Sequence, residues 1–284
     1  MTMQEATYFL LNKLCTIYDK SEASQITDWV MEQLTGSKKA ERMVYKNEII
    51  TIEEELLLHQ YSERLLQHEP VQYVLNEAWF SNMKFYVDKN VLIPRPETEE
   101  LVEWIISNCK FPVDELKILD IGSGSGCIPI SLKKRIRKAE VWSFDISEGA
   151  LTVAQKNAGD LGQEVNFIQL DFLDQHSWKK LPKFDIIVSN PPYIPEKDKQ
   201  TMQPNVLEYE PATALFVPDN DALIFYKAIA EFGKTHLEKS GSVFMEIHES
   251  LGKEVAELFQ QASYSTEIKK DMQEKDRMIK AGLV

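Results

Sequence analysis

Cysteine is scarce in this chain: Cys15, Cys109 and Cys127 are the only three in 284 residues, far apart in sequence. That excludes a disulfide framework and a cysteine-rich zinc motif. The five histidines are scattered, with no spacing that suits a metal, so no metal ligand is nominated. Basic charge is also in deficit, with 32 Lys and Arg against 45 Asp and Glu, a net of −13. A protein that grips nucleic acid without sequence preference needs clustered cations to neutralise phosphates, so that class is disfavoured. Long apolar runs are missing too. The run Tyr8 to Leu11 is broken by Asn12 and Lys13, too early for a membrane span or a secretory signal. A reduced, cytoplasmic setting is expected.

Glycine is sparse as well, and three of the 11 stand within five residues, Gly122-Ser123-Gly124-Ser125-Gly126. They follow the apolar run Ile118-Leu119-Asp120-Ile121 and precede a helical pattern through Ile128 and Leu132. A glycine turn between strand and helix lets backbone approach a ligand, and the helix N-terminus offers free N–H groups. Cys127 and Pro129 stand where a dinucleotide fingerprint would need glycine, and no Gly-Lys-Ser/Thr follows for a phosphate loop. About twenty residues on, Asp145 closes the next strand, Val141 to Phe144. A carboxylate there accepts hydrogen bonds from ribose hydroxyls. A ribose-bearing ligand without a pyrophosphate signature points to S-adenosylmethionine.

A second strand end carries different chemistry. The run Phe184 to Ser189 leads into Asn190-Pro191-Pro192-Tyr193. Two prolines fix φ and remove two N–H donors, so acceptors remain. The Asn190 side-chain oxygen and the Pro191 carbonyl can both face one planar –NH2 group, with the Tyr193 ring over its face. Such a site suits an amide or an exocyclic amine. A Pro-Pro pair is more often a rigid loop, but the ligand-type turn upstream favours the functional reading.

The remaining pattern divides the chain. Residues 1–75 read as a helical, acidic bundle (13 acidic against seven basic residues through position 78), expected to recognise a macromolecular partner. Ser21 is a candidate cap for its second helix and Gly36 its stop. Thr51 with Glu54 forms a capping box for a later helix that Pro70 ends. Residues 76–96 alternate through Trp79, Phe80, Phe85, Val87, Val91 and Ile93 and read as a β-hairpin linker. From 97 to 284, strands at 117–121, 141–145, 165–170, 184–189 and 241–247 alternate with helices. This is a doubly wound α/β fold with a mostly parallel sheet. Two more strands, near 264–270 and 276–281, read as an antiparallel pair at its edge.

These segments together resemble the class I S-adenosylmethionine methyltransferases, and among them the protein glutamine N5-methyltransferases of peptide chain release factors (the HemK/PrmC family). The resemblance runs through Glu69 to Val74, Ile93-Pro94-Arg95-Pro96-Glu97-Thr98, Asp120 to Gly126, Asn190 to Tyr193, Tyr209-Glu210-Pro211, Met245-Glu246-Ile247 and Asp276-Arg277. Asn76, Ala222, His248 and Phe172 depart from its usual residues. The resemblance implies that Gly122, Ser123, Gly124, Ser125 and Gly126 line the methionine part of the cofactor. It implies that Asp145 holds the ribose, and that Asp171 and Phe172 meet the adenine, Phe172 by stacking. Asn190 would touch cofactor and target amide, with Pro191, Pro192 and Tyr193 completing the substrate pocket. Arg95, Glu97 and Thr98 are expected near it, Thr98 at least in part as the initiator of a helix. The implied substrate is the Gly-Gly-Gln glutamine of release factors.

An amide nitrogen is a poor nucleophile, because its lone pair is delocalised into the carbonyl. Two acceptors on its hydrogens favour charge building on nitrogen during attack and hold it in line with the methyl group. The product proton can leave to solvent, so neither a His or Lys base nor a metal is nominated. Amino-methylation of adenine or guanine in nucleic acid is the alternative, but it would want a basic, base-flipping face. Methylation of a ribosomal-protein glutamine is a further alternative, although those enzymes carry a Ser-Pro-containing segment in place of Ile93 to Thr98. Neither membrane association nor sequence-specific nucleic-acid binding is expected.

Overall fold

In a computed structural model, residues 1–109, 116–202 and 204–284 are described. They form two units, Met1–Glu77 with Gln203–Tyr209, and Ala78–Met202 with Glu210–Val284.

The first unit follows from helical spacing and caps. Its helices are α1 (Met3–Leu14), α2 (Lys20–Thr35), α3 (Lys39–Val44), α4 (Ile52–Leu66) and α5 (Val71–Leu75). Apolar residues three and four apart bury Leu10, Leu14, Val30, Met31, Leu58 and Leu65 completely, each worth ~1.5–3 kcal/mol against exposure. Asp19, rather than Ser21, caps α2, because its carboxylate accepts from the N–H of both Ser21 and Glu22, at 2.8 and 3.0 Å. Gly36 ends α2 in the left-handed region, at φ 67°. Thr51 and Glu54 form the expected capping box. Pro70 does not end α4, which closes at Gln67; it opens α5, where its fixed φ costs nothing. Asn76 ends α5 at φ 53°, a left-handed position that asparagine tolerates better than other side chains with a Cβ.

The second unit opens with a hairpin shorter than the alternation suggests: β1 (Ala78–Phe80) and β2 (Met83–Phe85). Ser81 and Asn82 both have positive φ, the two-residue turn that matches strand twist. Pairing stops at Tyr86 because its N–H donates to the Asn157 side chain, at 2.7 Å. Asp88 then folds the chain over Asn90. Val87, Val91 and Ile93 are buried without a ladder.

The remaining elements are α6 (Pro96–Asn108), β3 (Lys117–Ile121), α7 (Cys127–Arg135), β4 (Glu140–Asp145), α8 (Glu148–Asp160), β5 (Asn166–Gln169), β6 (Phe184–Ser189), β7 (Ile194–Pro195), α9 (Pro204–Tyr209), α10 (Ala212–Leu215), β8 (Phe216–Val217), α11 (Ile224–His236), β9 (Leu237–Glu246), α12 (Gly252–Gln261), β10 (Tyr264–Lys270) and β11 (Asp276–Leu283). Of these, α9 belongs to the first unit. The large sheet has the order β10-β11-β9-β6-β3-β4-β5. Its five central and far-edge strands run parallel, and β11 pairs antiparallel with both β9 and β10. Period-two side-chain alternation splits the apolar strands between two cores. Leu119, Ile187, Val243 and Met245 pack with α11 and α12. Ile118, Ile186, Val188 and Phe244 pack with α6 and α7. Among the described residues, no helix is long and apolar enough to cross a membrane.

Candidate active site

Parallel pairing of β3 with β6 matches Ile118 to Ile186 and Ile121 to Ser189. The two residues that follow, Gly122 and Asn190, therefore leave the sheet side by side. Ser189 ties the strand ends together by donating its hydroxyl to the Ile121 carbonyl, at 2.7 Å. From β3 the chain order proceeds one way through β4 and β5 and the other way through β6 and β9, so the crevice at this point is the switch point of the sheet. A cavity of about 410 Å³ opens there, within the ~300–1,000 Å³ range of small-molecule sites.

One wall is the glycine turn. Gly122, Gly124 and Gly126 have φ of 91°, 50° and 80°, which a Cβ would strain. A Cβ on Gly122 or Gly124 would meet nothing within 4 Å, which leaves room for a ligand against the backbone. Gly126 has a different task. Its Cβ would lie 2.9 Å from Ile130 and 3.2 Å from Ala154, so it lets α7 pack on α8 and is absent from the cavity lining. Asn157 braces the turn by donating to the Ser125 carbonyl, at 2.8 Å. Ser123 and Ser125 line the cavity, although the Ser125 hydroxyl itself is buried beside the Cys127 thiol. Beneath them Asp120 is fully buried and receives the Ser143 hydroxyl, at 2.6 Å. Burial pushes its carboxyl well above the usual carboxylate range.

At the end of β4, Asp145 accepts from the N–H of Gly124 and of Ser147, each at 2.9 Å, so its carboxylate is fixed before any ligand arrives. Ile146 beside it is 58% exposed and lines the cavity, an apolar surface that sequence reasoning missed. Asp171 and Phe172 also line it. The Phe172 ring, however, is only 5% exposed and packs on Trp178 and Phe232, with centroids 5.3 Å away in each case. It belongs largely to the core, whereas Leu173 is half-open on the cavity side.

The opposite wall is Asn190, Pro191 and Pro192. Thr98 does not initiate α6. Arg95 is the cap and Pro96 the first helical residue, so Thr98 falls one turn in and is buried. Its hydroxyl donates to Glu246, at 2.7 Å, and accepts from the Asn190 amide –NH2, at 3.0 Å. The Asn190 nitrogen is thus engaged by Thr98, and both residues line the cavity. Glu246 is buried at the end of β9, where burial pushes its carboxyl up to about 7 against the opposing Thr98 hydrogen bond and Arg277 charge. Tyr193 lies outside the cavity lining; its hydroxyl faces Glu246 at 3.4 Å and its ring lies 5.6 Å from that of His248. Arg95 lines the cavity, but Glu97 does not. Glu210, with its side chain 1% exposed, accepts from the Arg95 guanidinium at 2.5 Å and from the Ile93 N–H at 3.2 Å. Among the described residues no cluster of His, Cys, Asp and Glu could hold a metal.

Glu246 and Glu210 were missed as site residues. The signal for Glu246 was a carboxylate inside the apolar run Val243 to Ile247, where an unpaired charge would be too costly to keep.

Many nucleotide-type ligands occupy such a switch point. An acceptor-only strand end beside a glycine turn without pyrophosphate features narrows the class to methyltransferases on a Rossmann-like sheet. Residues 98–209 match the family model of the methyltransferase small domain, and residues 12–75 that of the PrmC N-terminal domain. The chain is 43% identical over 273 residues to a release factor glutamine methyltransferase of Flavobacterium psychrophilum, covering 94% of each protein. It is 38% identical over 280 residues to one of Bacteroides thetaiotaomicron, covering 98% of this chain and 99% of that one. A solved methyltransferase of Pyrococcus furiosus shares the fold, with a TM-score of 0.52 at 16% identity over 79% of this chain and 99% of that one. This chain belongs to the release factor glutamine methyltransferase family.

Glu210→Ala removes the acceptor of a buried N–H and of the Arg95 guanidinium together. Denaturant unfolding is expected to show a loss of ~1–3 kcal/mol. A double-mutant cycle with Arg95→Ala should be non-additive, and additive losses would mean that the two side chains are not coupled.

Proposed function

We propose that the enzyme transfers a methyl group from S-adenosylmethionine to the side-chain amide nitrogen of a glutamine in a peptide chain release factor, the Gly-Gly-Gln glutamine. The observation that carries this reading is Asn190, whose –NH2 is held by Thr98 so that its oxygen is left as an acceptor at the cavity. The bound cofactor would supply an electrophilic methyl on a sulfonium. The residues present fit it. Asp145 is a preset acceptor for ribose hydroxyls, Ile146 and Leu173 offer apolar surface for a base, and Gly122 and Gly124 leave space against the backbone for the methionine end. Asn190 and the Pro191 carbonyl accept from the target –NH2. They orient the nitrogen and favour the charge that develops on it, while solvent takes the proton. The setting this implies is the cytoplasm, where translation terminates.

The helical unit is proposed as the recognition module for the whole substrate. Met43, Val44, Tyr45, Ile49, Ile52 and Leu56 are each more than half exposed within one short stretch, more apolar surface than a solvated face needs.

Asp145→Ala should weaken S-adenosylmethionine binding by ~1.5–3 kcal/mol, with no binding of NAD by either form. Unchanged affinity in calorimetry would remove Asp145 from the site. Asn190→Ala should lower kcat by roughly 10²–10³ without loss of folding; methylation of a release-factor glutamine at near wild-type rate would rule out this mechanism. Ile52→Glu places a carboxylate at the first turn of α4, where the helix dipole accepts it. It should raise KM for an intact release factor and leave kcat on a short glutamine peptide unchanged. Equal KM for the intact factor would argue against this face.

A further inference from the structure

Building on the proposed reaction, we propose that Glu246 and Thr98 are positioning residues that set the polarity of Asn190: a one-way hydrogen-bond chain from the Asn190 –NH2 through the Thr98 hydroxyl to the Glu246 carboxylate keeps the Asn190 oxygen turned to the target amide. The direction follows from counting hydrogens. A carboxylate has none to give, so the single Thr98 hydroxyl hydrogen goes to Glu246 Oε2, at 2.7 Å. The Thr98 oxygen is then left only its lone pairs for Asn190, and only the Nδ2 side of that amide can approach it, at 3.0 Å. The second carboxylate oxygen faces the Tyr193 hydroxyl, at 3.4 Å, and the Glu246 main-chain carbonyl accepts from Tyr226, at 3.1 Å.

A proton on Glu246 Oε2 reverses the chain. The acid then donates to Thr98, the Thr98 hydrogen turns to Asn190, and the amide rotates to offer Oδ1 inward. A donor now faces the cavity where the target –NH2 needs an acceptor. The proton comes from solvent and forms one O–H bond on Glu246; the other changes are reversals of hydrogen bonds. The groups facing Glu246 are Thr98 and Glu97 from α6, Tyr193 after β6, Tyr226 from α11 and Arg277 from β11. Burial is the largest influence among them and favours the neutral acid, while Thr98 and Arg277 favour the carboxylate. The acid form therefore predominates below about pH 7 and the carboxylate above it, so activity is expected to rise with pH.

The test compares wild type, Thr98→Val, Thr98→Ser and Glu246→Gln, with an intact bacterial release factor and labelled S-adenosylmethionine. Thr98→Val should lose roughly 10- to 100-fold in kcat with little change in cofactor affinity. Thr98→Ser, which keeps the hydroxyl, should retain most of kcat. Glutamine at 246 can donate or accept, so Glu246→Gln should have a lowered kcat and no acid limb, whereas the wild-type limb falls on acidification near neutrality. In parallel, the Asn190 side-chain amide resonances, assigned by loss in Asn190→Ala, should titrate over the same range in wild type and not in Glu246→Gln. Wild-type kcat in Thr98→Val, a Thr98→Ser variant as slow as the valine form, or an acid limb that persists in Glu246→Gln would overturn the proposal. An enzyme that leaves release factors unmethylated while its Asn190 resonances titrate through Glu246 would sink the substrate reading and uphold the chain.

Discussion

The parallel register of β3 against β6 is the constraint on which the site depends. It matches Ile121 to Ser189 and so delivers Gly122 and Asn190 to the same edge of the sheet. A slip of one residue would turn every side chain of the strand to the other core, and four fully buried residues, Ile118, Leu119, Ile187 and Val188, resist it. The site thus inherits its precision from the packing of these strands into the cores on both faces of the sheet. The glycine turn needs no side chain to find its place; it needs only strand ends that cannot move.

Around that edge, polar groups are buried in linked sets rather than singly. Asp120, Ser143 and Ser123 form one, Tyr86, Asn157 and Ser125 a second, and Asn190, Thr98 and Glu246 a third. Each joins residues distant in sequence, so its cost is met only when the sheet and its flanking helices are all in place. Folding and site assembly are in this sense one event.

Much of the fold was legible because strands such as 117–121 and 184–189 are short continuous apolar runs between turn signals, and because Thr51, Glu54 and Gly36 are local cap chemistry. Two of the failures share a cause, in that a distant partner overrode a local preference. Tyr86 gave its N–H to Asn157 rather than to a hairpin partner, and Thr98 gave its hydroxyl to Glu246 rather than to a cap. β9 begins at Leu237, earlier than expected, because its polar start, Glu238 to Ser240, hides a strand whose first residue pairs with Phe184. Of the candidate site, Gly122 to Ser125, Asp145 and Asn190, whose types alone suggest chemistry, line one cavity. Glu210 and Glu246, buried carboxylates that accept from Arg95 and Thr98, were not nominated, and the Phe172 ring packs chiefly in the core.

The chain enters the helical unit once at its start and a second time through α9, where the Tyr209 hydroxyl donates to the Gln67 carbonyl, at 2.8 Å. Glu210, the very next residue, belongs to the other unit and clamps Arg95. Modularity in this protein is therefore spatial and not sequential. A swap of N-terminal regions between relatives, cut at the obvious boundary near residue 77, would carry over five helices and leave the sixth behind. The interface that α9 makes would then pair a donor from one parent with an acceptor from the other. Inheritance of the helical unit has to be traced in two pieces, and a single breakpoint yields a chimera mismatched within that unit.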